Sequence, residues 1–257
     1  MEKKVILISI DGMRPDGLQQ CGNPYVAELE KLCAYTYSAQ SVTPSVTFPC
    51  HYSMAHSASP QTHGITGLRL TTPPTRKIAG LFETIRDAGG INAMFYGWEP
   101  IRDICKLSLR ISIQIDRNLR ESGDTALTDE ALRFIASDKP DFAFLYLVDV
   151  DEKGGHVNGW MSEEYMRRLS IAIDNVKRVF EAFGDEYSIV IMSDHGGHDH
   201  GHGSNMPEDM NIPLFFYGPD FEAGEIHKEL SLLDIAPTIV RVMGLEPNEE
   251  WEGHSLV

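Results

Sequence analysis

Apolar residues along this chain come in short unbroken runs, each stopped by acid, glycine or histidine, with amphipathic stretches between them. The runs at 5–10, 142–148 and 189–192 are rich in β-branched and aromatic residues. They lack the alternation of a half-exposed strand, so they predict strands buried on both faces. Further strands are predicted at 38–42, 92–96 and 212–217, and Pro213 places the last at a sheet edge or a strand start. Helical periodicity marks 24–33, 78–88, 128–136, 161–183 and 233–243, with Gly89-Gly90 and Gly244 as stops. Strands that alternate with helices throughout imply an α/β protein with a mainly parallel central sheet and helices on both faces. No linker, repeat or low-complexity tract interrupts the pattern, so 1–257 is read as one domain. The poorly patterned segment 97–121 is read as a small cap over the site.

Composition changes this picture little. At 257 residues, with 42% hydrophobic and 23% charged positions, the chain is an ordinary globular protein with a substantial core. Its formal charge of −16 argues against nonspecific binding to a nucleic-acid polymer or an anionic membrane. An anionic substrate would then need local positive charge, for which bound metal ions are one source. Cys21, Cys33, Cys50 and Cys105 are scattered, with no CxxC pair. The apolar run at 5–10 is too short for a signal-peptide core or a membrane span. Free thiols and a cytoplasmic location are expected; oligomeric state is left open.

The chemistry lies where the apolar runs stop. The run at 189–192 gives way to Ser193-Asp194-His195-Gly196-Gly197-His198-Asp199-His200-Gly201-His202-Gly203. The run at 5–10 ends in Asp11-Gly12, and the run at 142–148 in Asp149-Val150-Asp151-Glu152-Lys153-Gly154-Gly155-His156. Strand C-termini of a parallel sheet share one rim, where such folds keep their ligands, so these donors can meet. Asp11, Asp151, His156, Asp194, His195 and His202 are too many for one tetrahedral ion. They suit two, and mixed nitrogen and oxygen donors favour zinc, with manganese second. Two ions about 4 Å apart can activate a nucleophile and hold a leaving oxygen. Thr47, just before Pro49, falls near a helix start, where it is either a cap or a nucleophile activated by a metal.

Taken in order, Asp11-Gly12, Thr43-Pro44-Ser45-Val46-Thr47-Phe48-Pro49-Cys50-His51-Tyr52-Ser53, His63-Gly64-Ile65, Ser193-Asp194-His195-Gly196 and His202-Gly203 resemble the motifs of the alkaline phosphatase superfamily. The branch most similar is the type I phosphodiesterase/nucleotide pyrophosphatase family. The resemblance implies an alkaline-phosphatase-like three-layer sandwich and hydrolysis of phosphate esters through a phosphothreonine at Thr47. It implies one metal held by Asp11, Asp194 and His195 beside Thr47, and a second held by Asp151, His156 and His202. Two departures stand out. The middle motif carries one residue more than the family's Asp-x-x-Gly-His, which leaves Asp149 and Glu152 as rivals to Asp151; the two-glycine turn is expected to absorb the insertion. Thr66-Gly67-Leu68 follows His63-Gly64-Ile65 where the family has an Asn, so Arg14, the Thr47 or Phe48 N–H, or the metals would take over its contact with the phosphoryl group. Alternatives on the same scaffold are a phosphomonoesterase, a phosphonate hydrolase or a catalytically silent metal-binding homologue.

Overall fold

A computed structural model describes residues 3–105, 108–115 and 123–257. The strands are β1 (Lys4–Ile10), β2 (Ala34–Gln40), β3 (Asn92–Tyr96), β4 (Ile111–Gln114), β5 (Phe142–Leu147), β6 (Tyr187–Met192), β7 (Asn211–Tyr217) and β8 (Gly224–Glu225). The helices are α1 (Pro15–Gln20), α2 (Tyr25–Leu32), α3 (Thr47–His56), α4 (Pro60–His63), α5 (Leu81–Asp87), α6 (Gly123–Asp138), α7 (Glu163–Phe183), α8 (Pro207–Met210) and α9 (Ile235–Val242).

All eight strands join one sheet in the order β4-β3-β5-β1-β6-β7-β2-β8. Every pairing is parallel except the two made by β7. Side chains along β1 alternate between two cores, as a period of two requires. Val5 and Leu7 pack with Phe48 and Met54 of α3, Phe82 of α5 and Ile239 of α9 on one face. Ile6, Ile8 and Ile10 pack with Leu29 of α2, Leu127 of α6 and Leu169 and Ile173 of α7 on the other. The result is the expected three-layer sandwich, and burial on both faces explains the continuous apolar runs.

The consequence for function lies at the centre of the sheet. β5, β1 and β6 are adjacent and parallel, so the chain leaves all three at one rim. Asp11 follows the last residue of β1, its N–H still bonded to the Leu147 carbonyl of β5 at 2.9 Å.

Several elements differ from the sequence reading. β2 occupies Ala34–Gln40 rather than 38–42. β7 lies inside the sheet, between β6 and β2, and not at an edge. Pro213 is tolerated because the register of β2 shifts between Thr36 and Ala39, which pair with Leu214 and Ile212. Opposite this bulge no ladder hydrogen bond is demanded of the missing N–H. Of the segment 97–121, Glu99–Ile104 forms a 3-10 helix and Ile111–Gln114 is an added edge strand; 106–107 and 116–121 lie outside the described residues. No described helix is long and apolar enough to cross a membrane.

Candidate active site

The rim where β1, β5 and β6 end gathers the expected donors. Gly12 follows Asp11 with φ +68°, and a Cβ there would stand 3.1 Å from the Asp151 side chain, so only glycine lets the two acidic loops approach. The Gly12 N–H donates to Asp194 Oδ1 at 3.2 Å, which ties the end of β1 to the end of β6. Tyr146, near the end of β5, donates its hydroxyl to Asp11 Oδ2.

The middle motif solves its extra residue in an unexpected way. Val150–His156 winds as a π-helix, in which a residue meets its neighbour five positions on rather than four. Asp151 and His156 are spaced by that interval, and His156 Nε2 stands 3.5 Å from Asp151 Oδ2. The wider turn, rather than a glycine loop, absorbs the insertion. Asp149 faces away, paired with Lys153 at 2.8 Å and with Arg168 of α7 at 3.9 Å. Glu152 lines the pocket, but the ligand-competent group contains Asp151.

The three histidines share one rule. His195 Nδ1 bonds the Gly196 carbonyl at 2.8 Å, His202 Nδ1 the Ser45 carbonyl at 2.8 Å, and His156 Nδ1 the His200 carbonyl at 2.9 Å. A carbonyl only accepts, so each Nδ1 carries the proton and each Nε2 presents a lone pair, the arrangement of metal-binding imidazoles. His195 Nε2 lies 3.2 Å from Asp194 Oδ2 and 3.4 Å from Asp11 Oδ1, and His202 Nε2 lies 3.8 Å from Asp151 Oδ1. Among the described residues, two sets have donor atoms within 4.8 Å of one another: Asp11, Asp194 and His195; and Asp151, His195 and His202. His195 therefore stands between the two clusters, and His156 borders the second from its solvent side.

Thr47 is the first residue of α3. Val46 takes the N-cap position, and no side-chain cap bond is made there, so the capping role is not realised. The Thr47 hydroxyl instead meets His195 Nε2 at 3.1 Å. Behind it, His51 on the next turn bonds the Thr47 carbonyl through Nδ1 and Ser9 Oγ through Nε2, both at 2.8 Å. His63 bonds Ser53 at 2.9 Å and accepts the Ile65 N–H at 3.0 Å, which buttresses the loop after it.

Electrostatics single out this rim. Burial, then the charges of Asp194 and Asp151, hold the Asp11 carboxyl well above its usual range. Burial also raises Asp194. It pushes His195 down to about 3, and burial with His195 beside it does the same to His202. Asp11 Oδ1 and Asp194 Oδ2 are buried with no hydrogen-bond partner. Clustered acids with orphaned oxygens facing neutral imidazoles are costly for a folded chain, and they fit divalent cations as their missing partners.

The site opens into a pocket of about 640 Å³ lined by Asp11, Thr47, Tyr146, Asp151, His156 and His202, together with Thr66, Gly67, Leu68, Arg69 and Trp98. Arg14 is not among them. It bonds Asp16 at 2.6 and 2.9 Å and the Gly197 carbonyl at 2.9 Å, away from Thr47. The sequence reading missed Tyr146 and Arg69. A tyrosine inside an apolar run carries no local sign of its role, whereas an arginine six residues after His63 could have been noted as a cation near the site. His198 bonds Asp209 at 2.8 Å and does not compete with His202.

Comparison with known proteins bears on family and fold. Residues 5–106 match the family described as type I phosphodiesterase / nucleotide pyrophosphatase, and residues 108–247 the metalloenzyme superfamily. Ectonucleotide pyrophosphatase/phosphodiesterase family member 1 of Rattus norvegicus is 25% identical over 218 residues, covering 74% of this chain and 24% of that protein. The chain thus spans about a quarter of the length of that curated relative. Among solved structures, an inactive variant of murine ectonucleotide pyrophosphatase / phosphodiesterase 5 in complex with AMP superposes with a TM-score of 0.78 at 12% identity, covering 99% of this chain and 97% of that one. The phosphonate monoester hydrolase of Agrobacterium radiobacter reaches 0.77 at 16% identity, covering 99% and 76%. At such identities the structures speak for the fold, while the sequence matches speak for descent. The chain belongs to the metalloenzyme superfamily, and its residues 5–106 are similar to the type I phosphodiesterase / nucleotide pyrophosphatase family.

Proposed function

We propose that this chain hydrolyses small phosphate diesters with Thr47 as nucleophile. Two divalent cations, zinc before manganese, would be held by Asp11, Asp194 and His195 and by Asp151, His156 and His202. When bound, the cations supply positive charge to the threonine hydroxyl and to the phosphoryl oxygens. The chain does the rest. Thr47 Oγ1 stands 3.1 Å from His195 Nε2, which brings the hydroxyl to the nitrogen that would hold an ion, and His51 anchors the carbonyl of the same residue. The N-terminus of the ten-residue α3 presents the positive end of its dipole to the phosphoryl group. Attack by Thr47 Oγ1 forms one P–O bond, breaks the P–O bond to the leaving alcohol, which takes up the threonine proton, and gives a phosphothreonine that still carries the second alcohol as its ester. Water then breaks the Thr47–phosphorus bond, releasing a phosphate monoester and restoring the hydroxyl.

The observation that carries this reading is the 3.1 Å contact of Thr47 Oγ1 with His195 Nε2, the same nitrogen that borders the orphaned oxygens of Asp11 and Asp194. The family match and its murine structural counterpart bound to AMP support a small phosphate ester as substrate. The test compares bis(nitrophenyl) phosphate, nitrophenyl phosphate, phenylphosphonate esters and nitrophenyl sulfate with added zinc or manganese, and Thr47→Ala as control. Diester turnover lost in Thr47→Ala supports the proposal, and turnover that survives the substitution removes Thr47 from the mechanism. Preference for the monoester or the phosphonate would reassign the substrate while keeping the residues. Metal binding without turnover of any ester would mark a silent homologue.

A further inference from the structure

Asp11, Asp194, His156, His195 and His202 are each anchored to the protein through a polar atom, and for Asp194 and the three histidines a backbone group makes the tie. Asp194 is held by the Gly12 N–H, and the histidines by the carbonyls of His200, Gly196 and Ser45. Asp11 is held instead by a side chain, the hydroxyl of Tyr146 on Oδ2. Its other oxygen, Oδ1, is buried without a hydrogen-bond partner and faces His195 Nε2 at 3.4 Å.

We propose that Tyr146 is a positioning residue that confines Asp11 to a single donor oxygen, and thereby selects a small cation of low coordination number, zinc, over calcium. The inference rests on the reading of Asp11 as a metal ligand. A hydroxyl proton on Oδ2 opposes chelation by both oxygens of the carboxylate. Calcium gathers six to eight oxygens and commonly takes carboxylates two oxygens at a time; zinc takes about four donors, one per side chain. The tyrosine is rigid enough for this work. It is fully buried at the end of β5, its ring stacked on Phe144 at 6.4 Å and set edge-on against His51 at 4.9 Å. Neither packing contact needs the hydroxyl, so Tyr146→Phe removes the tie and leaves the wall of the pocket.

The test titrates metal-free wild type and Tyr146→Phe with zinc under a competing chelator and, separately, with calcium. Zinc binding is expected to weaken by about 10- to 100-fold, the usual effect of losing a residue that orients a ligand, with calcium weakened less or strengthened. Unchanged zinc affinity, or an equal loss for both ions, overturns the proposal. Should the phenylalanine variant fold poorly, 3-fluorotyrosine at position 146 alone keeps the ring and the hydroxyl. Its fluorine resonance should then shift as zinc binds and stay put with calcium, and a resonance indifferent to zinc overturns the proposal equally. Zinc selectivity without hydrolysis of any ester would leave this inference standing and sink the proposed function. A wild type that binds neither ion would sink both.

Discussion

The two halves of the site share His195 and differ in almost everything else. Asp11, Asp194 and His195 are fully enclosed, with side chains at 0–1% exposure. In the other half Asp151 is 6% exposed, His202 9% and His156 38%. The enclosed half is built on strand ends, where sheet hydrogen bonds fix the backbone. The outer half hangs on a π-turn and a histidine-rich loop, whose own ties run between one loop and another, as in the Thr43–Asn205 and Ser45–Ser204 bonds. A buried cluster of acids is stiff and expensive to leave without a cation, whereas an outer cluster can exchange its ion and admit substrate. The difference suggests a division of labour, in which the inner half prepares Thr47 and the outer half receives the leaving group and water.

Asp194→Asn is the harshest way to sharpen that contrast. On the proposed reading it removes an inner ligand beside Thr47, and diester turnover should fall by about a thousandfold or more. Bound metal, read by mass spectrometry of the native protein, should drop by the inner ion. The metal-free variant should melt higher than metal-free wild type, because one of the mutually repelling buried carboxylates is gone. A melting point below wild type would show that these acids are better compensated than their orphaned oxygens imply.

His156→Ala strikes the outer half. A loss of about 10- to 100-fold is expected, largely restored by excess metal, since the ligand is partly solvated and water can take its place. If His156→Ala were as damaging as Asp194→Asn and did not respond to metal, the division between the halves would fail. Gly155→Ala probes the π-turn without touching a ligand. A Cβ there would lie 2.6 Å from the Trp160 ring, which cannot yield easily because its Nε1 donates to the Gly12 carbonyl at 3.0 Å. Roughly tenfold weaker outer-metal binding with the inner metal retained is the expected result. Loss of both ions would mean that Trp160 transmits the strain through Gly12 to Asp11.

How much of this was legible in the sequence follows the same division. Asp11, Asp194 and His195 could be read because a buried strand announces itself as an apolar run and its last residue points to the rim. Thr47 was visible only as a choice, since a threonine ahead of a helix is an ordinary cap until a neighbour claims its hydroxyl. Asp151 and His156 were named, but the π-turn that unites them was not. Its signal is a single extra residue, which a glycine-rich loop could equally have absorbed. α1 was hidden by its shortness, and β4 by weak patterning, with its burial only intermediate to exposed. The inward place of β7 was masked because Pro213 argues for an edge until the bulge in its partner is known. Tyr146 was lost inside the run that revealed its strand.

The gentlest probe is pH, acting below the outer half. Asp124, at the start of α6, accepts the Val148 and Asp149 N–H groups at 2.9 Å each, directly under the π-turn. Burial, then the neighbouring charge of Asp149, pushes its carboxyl up to about 8, against the nearby Lys153. A carboxyl whose value is raised on folding binds its proton more tightly in the folded chain. It therefore contributes stability in acid that is lost as pH rises from about 4 through about 8. Amide exchange of metal-free protein between about pH 6 and pH 9, corrected for the intrinsic rate, should show opening at 148–156 growing with pH while β1 and β6 stay protected. Asp124→Asn should flatten that trend, even at the cost of a lower overall melting point, because an amide has no proton to lose. Equal loosening of β1 and the π-turn would mean that the two halves unfold as one unit, and that the boundary between them is chemical only.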